Sequence, residues 1–491
     1  MLRPETLLLG LLLFSVDARS SGVDVFGMGA RWQGAGGGGV AVVEDGTAAY
    51  LNPAGLSRIR RPTAGLGVQA AFPKFRSIPN LYWDTNRDGV IDERDPELKY
   101  SPQPDNTSAM QLHVGRHVGG KFGLGLAMSL PTSNLIRFQT FEPELPSYIM
   151  WENRLERFMI AAGIGGEVLP GLSVGAAVET LAGGQIDIAL TLDARVTGPS
   201  EGDEGVEDLI SDVIIDVHEV TLAVIPRFAP IVGLQFDVGR VAPPLDGHVI
   251  GAMYHGSVGI AFNADIDLQA NANIQDVGDL EPYITSILLA SNVNVFDHYV
   301  PQRVQFGLAY RRADTLTLYG DGKWTDWSQM QLNVAQLDSA ALTSPLLNID
   351  DVIRDGNQYQ VILKPVWSVR MGADLQLPQW DIDTDLRYVR LRLRGGFAVE
   401  PTPLVDQGSS SALLDADRTL FTLGTGVEVW DPFALTDGPV RLDAFWQFHT
   451  LRSTTLPRSS ESPQAGYPTT GLGIPLGGTI MVFGGEWSFE Y

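Results

Sequence analysis

Twelve consecutive residues near the start of the chain have the types and spacing to hold a metal ion. In Asp84-Thr85-Asn86-Arg87-Asp88-Gly89-Val90-Ile91-Asp92-Glu93-Arg94-Asp95, oxygen-bearing side chains stand at positions 1, 3, 5, 9 and 12, with Gly at 6 and an apolar residue at 8. Hard divalent cations want many oxygens on a flexible loop, and this register wraps one Ca²⁺. Val90 would give its carbonyl from position 7, and Gly89 would make the sharp turn. The expected ligands are therefore Asp84, Asn86, Asp88, Val90, Asp92 and Asp95. Asp in place of a bidentate Glu at the last position weakens such a site. Its role would be to order a loop; the competing reading is an acidic loop that repels itself.

Other chemistry is poorly served. Gly171-Leu172-Ser173-Val174-Gly175 matches a nucleophile elbow, but an elbow follows a strand and opens a helix, and here a Pro-Gly turn precedes a strand. His113 and His117 share a strand face roughly 13 Å apart, too far for one metal, and read as lumen or interface residues. The run Gly34–Gly39 lacks the Lys-Ser/Thr that a phosphate loop needs. No enzyme is expected.

The elements that must carry the acidic loop are strands. At the end of the chain Met481, Phe483, Gly485, Trp487, Phe489 and Tyr491 share one face, and Val482, Gly484, Glu486, Ser488 and Glu490 the other. Aromatics outward and mostly polar residues inward describe a strand between lipid and a wet lumen. A terminal strand that stops on an aromatic marks a bacterial outer-membrane barrel for assembly.

At the other end, Arg3 precedes an apolar run from Leu7 to Phe14, too short to span a bilayer, with small residues at Ala18 and Ser20. This reads as a secretory leader over residues 1–20. The absence of Cys excludes a disulfide scaffold, and mean hydropathy of +0.04 suits a wall that is half lipid-facing. A net charge of −24 argues against nucleic acid as a partner and for divalent cations, which also bridge lipopolysaccharide.

From Pro62 onward alternating segments are joined by six short turns, at Gly119-Gly120, Leu169-Pro170-Gly171, Gly239–Gly247, Ala313-Asp314, Gln379–Ile382 and Asp431–Gly438, and by seven long loops. The long loops lie near 73–106, 133–149, 198–215, 275–298, 331–363, 399–416 and 454–476. An even strand number with short periplasmic turns and long outer loops is the outer-membrane pattern. Segments such as His248–Ile274 exceed the ~10 residues a membrane strand needs and should project outside. Fourteen strands enclose more space than their own side chains fill. The Gly-rich stretch before the first strand, able to pack backbone closely, is the candidate plug. The expected fold is all-β: a 14-stranded antiparallel transmembrane β-barrel over 61–491, an N-terminal hatch over 21–60 plugging its lumen, and a calcium-loop insertion at 84–95.

Several blocks in this order resemble the FadL family of outer-membrane transporters. They are Phe26–Arg31 running through Asp45–Leu56, then Gly251–Val258, Pro301–Tyr310, Lys323–Ser328, Arg394–Phe397 with Glu400–Pro403, and Asp415–Arg418 into Phe421–Gly426. Type IX secretion barrels carry a similar Asn-Pro-Ala-Gly segment, and a protein-binding scaffold of that kind is the alternative; the Trp-Thr-Asp-Trp-Ser strand favours FadL. The resemblance implies a monomeric passive channel for hydrophobic compounds such as long-chain fatty acids. Ligand is caught between the third and fourth outer loops, passes a pocket beside the hatch and leaves sideways into the membrane. Asn52, Pro53 and Ala54 would lie on the ligand path, as a structural turn, a gate, or both. In the third loop Leu209, Ile210 and Val213, and in the fourth Ile284, Ile287, Leu288 and Leu289, recur at helical spacing and would form the capture groove. The acidic loop, for its part, resembles the calcium loops of dockerins.

Overall fold

In a computed structural model of the chain, the backbone from Thr63 to Glu490 closes into one antiparallel barrel. The structure describes residues 23–85, 90–100, 106–132, 145–151, 158–197, 210–275, 283–313, 315–330, 335–344, 349–353, 362–381, 388–405, 413–430, 438–456 and 473–491. The leader, Asn86, Asp88 and Leu209 lie outside them.

The wall strands are β1 (Thr63–Phe75), β2 (Thr107–Val118), β3 (Phe122–Pro131), β4 (Met159–Leu169), β5 (Leu172–Thr197), β6 (Ile210–Asp237) and β7 (His248–His255). They continue with β8 (Gln302–Arg312), β9 (Leu316–Asp326), β10 (Val366–Gln376), β11 (Tyr388–Glu400), β12 (Arg418–Trp430), β13 (Pro439–Leu456) and β14 (Ile474–Glu490). Each pairs with the next, and β14 returns to β1 from Glu490↔Thr63 to Gly478↔Phe75, so the fourteen-strand count holds and no wall edge is left open. The short turns use left-handed glycines: Gly119 and Gly120 at φ 63° and 81° between β2 and β3, and Gly171 at φ 81° between β4 and β5.

Burial alternates along the strands as lipid and lumen would demand. In β14 Met481, Phe483, Trp487 and Phe489 are exposed, while Val482 and Glu486 are buried. Among the described residues no helix is long and apolar enough to cross a membrane.

Two expectations about the outer region need correction. His248–Ile274 is not one strand. β7 ends at His255, the chain breaks at Gly256-Ser257, and a separate hairpin, Val258–Gln275 with Tyr283–Val300, follows. This hairpin runs parallel to the upper part of β5, from Phe262↔Gly184 to Gln275↔Thr197. Second, the third and fourth loops are extended rather than helical where described: Ile210 and Val213 belong to β6, and Ile284, Ile287, Leu288 and Leu289 to the strand Tyr283–Val300. The run around Ile210–Ile215 is rich in β-branched residues, which favour the pleated ladder, and the β5–β6 pairing simply continues upward.

Candidate functional site

Inside the wall lies the N-terminal segment, three single-turn helices, α1 (Val23–Phe26), α2 (Ala30–Gln33) and α3 (Ala48–Leu51), and the 3-10 turn Pro53–Arg58. Helices this short do not hold themselves; the wall holds them. Residues of this segment touch every one of the fourteen strands, from Gln33 on Gln69 of β1 through to the Ala30 N–H donating to Glu486 of β14 at 3.0 Å.

The fit depends on wall positions without side chains. Gly123, Gly165, Gly175 and Gly233 pair directly across β3 to β6 and back onto Asn52, Pro53 and Leu56. Gly251 and Gly307, paired across β7 and β8, face Ala41 and Val40; Gly372 and Gly396, paired across β10 and β11, face Ala35 and Gly36. A Cβ at any of these would collide with the segment, mostly with its backbone. This glycine footprint was missed in the sequence, although inward positions of alternating strands would have displayed it.

Asn52 joins the two bodies. Its carboxamide donates to the Val40 carbonyl at 2.7 Å and to Leu234 of β6 at 3.0 Å, and it accepts the Ala54 N–H at 3.1 Å. Asn52, Pro53 and Ala54 are all buried. The tripeptide stands where the segment meets the wall, as a tightly bonded turn.

A second set of ties is ionic. Arg31 reaches Asp374 at 3.2 Å and Glu44 at 3.6 Å, and Arg311 reaches Glu44 at 3.0 Å. Burial would raise the Glu44 carboxyl, but Arg311 and then Arg31 overcome it and hold it at about 2. Burial alone would lower Arg31; Asp374 and Glu44 push it above its ordinary value instead.

Above the segment, at the outer ends of β8 to β12, a cavity of about 90 Å³ is lined by Val25, Met150, Trp151, Trp327 and Val366 together with Arg303, Lys323, Arg418, Glu400 and Asp415. Arg370 and Arg418 bond to Glu400, with Lys323 at 3.6 Å. Arg418 also stands 5.1 Å over the Trp151 ring, and Arg303 4.9 Å over Tyr50. The chamber is lined by apolar side chains together with three cations and two carboxylates. Sequence reading placed Lys323, Glu400 and Arg418 only in resemblance blocks, not at a site.

The acidic loop is closed by a ladder between Ile78–Tyr82 and Glu97–Tyr100. Asp95 is its clasp, accepting the Thr85 N–H at 3.0 Å and the Asp92 N–H at 2.9 Å. Those two bonds hold its carboxyl below the usual range. Asp84 is buried and Val90 exposed. Among the described residues no three acids or histidines stand at metal-binding distance. The six residues expected as ligands offer only oxygen, the donor type Ca²⁺ takes, and two of them, Asn86 and Asp88, lie outside the described residues.

His113 faces inward and meets Glu486 at 3.0 Å. His117 lies lower, at the periplasmic chamber. Ser173 of the Gly-x-Ser-x-Gly match sits at the base of β5, 2.7 Å from the Ser57 hydroxyl, with no helix after it.

A closed fourteen-strand barrel with lipid-facing apolar residues, filled by its own N-terminal segment, has the build of an outer-membrane barrel protein. A family model described as "Outer membrane protein transport protein (OMPP1/FadL/TodX)" matches residues 12–438, and the chain belongs to that family. The protein is thus an outer-membrane transport protein of a bacterium. No curated protein matches the sequence. Similar solved structures include a Pseudomonas aeruginosa FadL homologue (17% identity, 96% of this chain and 97% of that one, TM-score 0.48). Others are the P. putida toluene transporter TodX (13%, 95% and 99%, 0.48) and the Ralstonia pickettii toluene transporter TbuX (13%, 95% and 99%, 0.47).

Proposed function

We propose that the protein is a passive channel for hydrophobic compounds, long-chain fatty acids among them. Solute gathers at the outer loops, enters the slot at Trp151 and Trp327, passes the N-terminal segment as a hatch, and leaves sideways into the outer membrane. The observation that carries the acid reading is the slot itself. Apolar walls suit a chain whose burial contributes roughly 0.8 kcal/mol per CH₂, and the cations Arg303, Lys323 and Arg418 in the lining suit a carboxylate. A lateral exit spares an apolar solute the cost of re-entering water. The channel works as a monomer in contact with lipid and lipopolysaccharide, and Ca²⁺ held by the 84–95 loop orders the first outer loop without taking part in transport.

The test is uptake of radiolabelled long-chain fatty acid by cells lacking their own transporter, with and without this protein. Uptake abolished by a disulfide tying Ala54 to the wall supports the channel. Failure to carry fatty acids and aromatic hydrocarbons alike would favour a protein-binding scaffold.

A further inference from the structure

Below the hatch the barrel opens into a polar chamber of about 700 Å³ facing the periplasm. Nine arginines line it against six acids, a basic hollow in a chain of net charge −24. Most of these arginines are spoken for: Arg240 holds Glu167 at 3.0 Å, and Arg311 holds Glu44 at 3.0 Å and the Val42 carbonyl at 2.7 Å. Arg58 is different. It ends the 3-10 turn that begins at Pro53, fixed in place by buried Leu56 and Ile59 on either side. It is half-buried, yet among the described residues it makes no ion pair or hydrogen bond.

Burial first, and then the neighbouring Arg311, lower its hold on a proton; Arg240 adds to the same effect, and Glu44 and Asp237 only partly oppose it. A partly desolvated cation beside two others is costly unless an anion joins it. The chamber gathers one cation from the hatch, one from β8 and one from the β6–β7 turn, the last two already paired with Glu44 and Glu167, and the Ser57 and Ser173 hydroxyls share its lining. Guanidinium groups match the oxygens of phosphate or carboxylate.

We infer that Arg58, Arg240 and Arg311 form a periplasmic oxyanion site that bridges the base of the hatch to the wall. Its ligand is a phosphate or a carboxylate. The source is either a phosphate-bearing molecule of the periplasm or the carboxylate of a carried acid. The site rests on the lining of the chamber; only the second source depends on the solute the channel carries.

Calorimetric titration of the full-length protein in detergent, with inorganic phosphate and separately with butanoate, tests it. The wild type should bind one equivalent of at least one of them, and Arg58→Gln should weaken that binding at least tenfold. Lys121→Gln, at a periplasmic turn outside the chamber, should change it less than twofold. Circular dichroism should show the Arg58→Gln barrel folded as wild type. Phosphate binding more tightly assigns the first source, butanoate the second. Absence of saturable binding for both anions, equal binding by Arg58→Gln, or an equal loss in Lys121→Gln would overturn the site.

Discussion

Asn52 and Gly233 occupy one space between them. The Asn52 carboxamide oxygen lies where a side chain on Gly233 would begin, while its nitrogen bonds the next wall carbonyl, Leu234, at 3.0 Å. The proposed hatch and the wall are therefore fitted by a missing Cβ on one side and a buried amide on the other.

Asn52→Ala removes that amide and strands the buried Ala54 N–H, while the Val40 carbonyl keeps its bond from the Gln235 amide at 3.1 Å. The cost should be about 1–3 kcal/mol, charged to the hatch rather than the barrel. Hydrogen exchange at Ala54–Leu56 should speed up while the heat-modified gel shift of the barrel stays unchanged. Gly233→Val should do the same by overpacking, at about 1–3 kcal/mol. Unaltered exchange in both variants would mean that this contact holds nothing.

Glu44 predicts how the hatch responds to acid. Its folded pKa of about 2 lies below the ordinary carboxylate value, so its contribution is fully present above the unfolded pKa, near 4.5. That contribution is lost as pH falls from about 4.5 through about 2. Hatch amides should stay protected from pH 7 to about 5 and loosen below that window. In Glu44→Gln the acid-dependent loosening should shrink, because Arg31 and Arg311 no longer lose a charged partner. A variant with the wild-type acid profile would count against Glu44 as the titrating tie.

The first outer loop offers a calcium test. In Asp84→Ala/Asp88→Ala, protease should cut the loop as readily with calcium as wild type is cut in chelator, the barrel staying intact. Equal cutting of wild type with and without calcium would remove the ion from the account. Asp95 already clasps Thr85 and Asp92, so the loop's base should remain closed in either state.

What the sequence disclosed follows from how local each signal is. A period of two and a Pro-Gly or Gly-Gly turn are written in adjacent residues, and the wall, its strand number and its turns could be read there. The outer loops could not. Ile210, Val213 and Ile284, Ile287 recur at helical spacing, yet short apolar runs fit a strand equally well. The long β5–β6 ladder decided in favour of strands for the first pair, and the hairpin of Val258–Gln275 with Tyr283–Val300 for the second. The ties of the hatch were hidden for another reason. Arg31 and Asp374 are partners 343 positions apart, and Arg58 becomes notable only once its neighbours are seen to be occupied.

The cations of the upper slot give a prediction with two opposite signs. Lys323 and Arg418 share Glu400, so the carboxylate of a bound acid would compete with Glu400 for the same cations. Lys323→Met removes a cation and should weaken dodecanoate binding about tenfold, the order expected for one charge-assisted bond. Dodecanol, with the same tail and no charge, should bind within about twofold of wild type, because the walls at Trp151, Trp327 and Val366 are untouched. Glu400→Gln removes the competitor and should tighten dodecanoate while leaving dodecanol alone. Fluorescence of the slot tryptophans, Trp151 and Trp327, would follow both ligands in detergent. If acid and alcohol weaken together in Lys323→Met, the lysine shapes the slot and does not read charge. If Glu400→Gln weakens dodecanoate, Glu400 holds the cations in position for the ligand instead of competing with it.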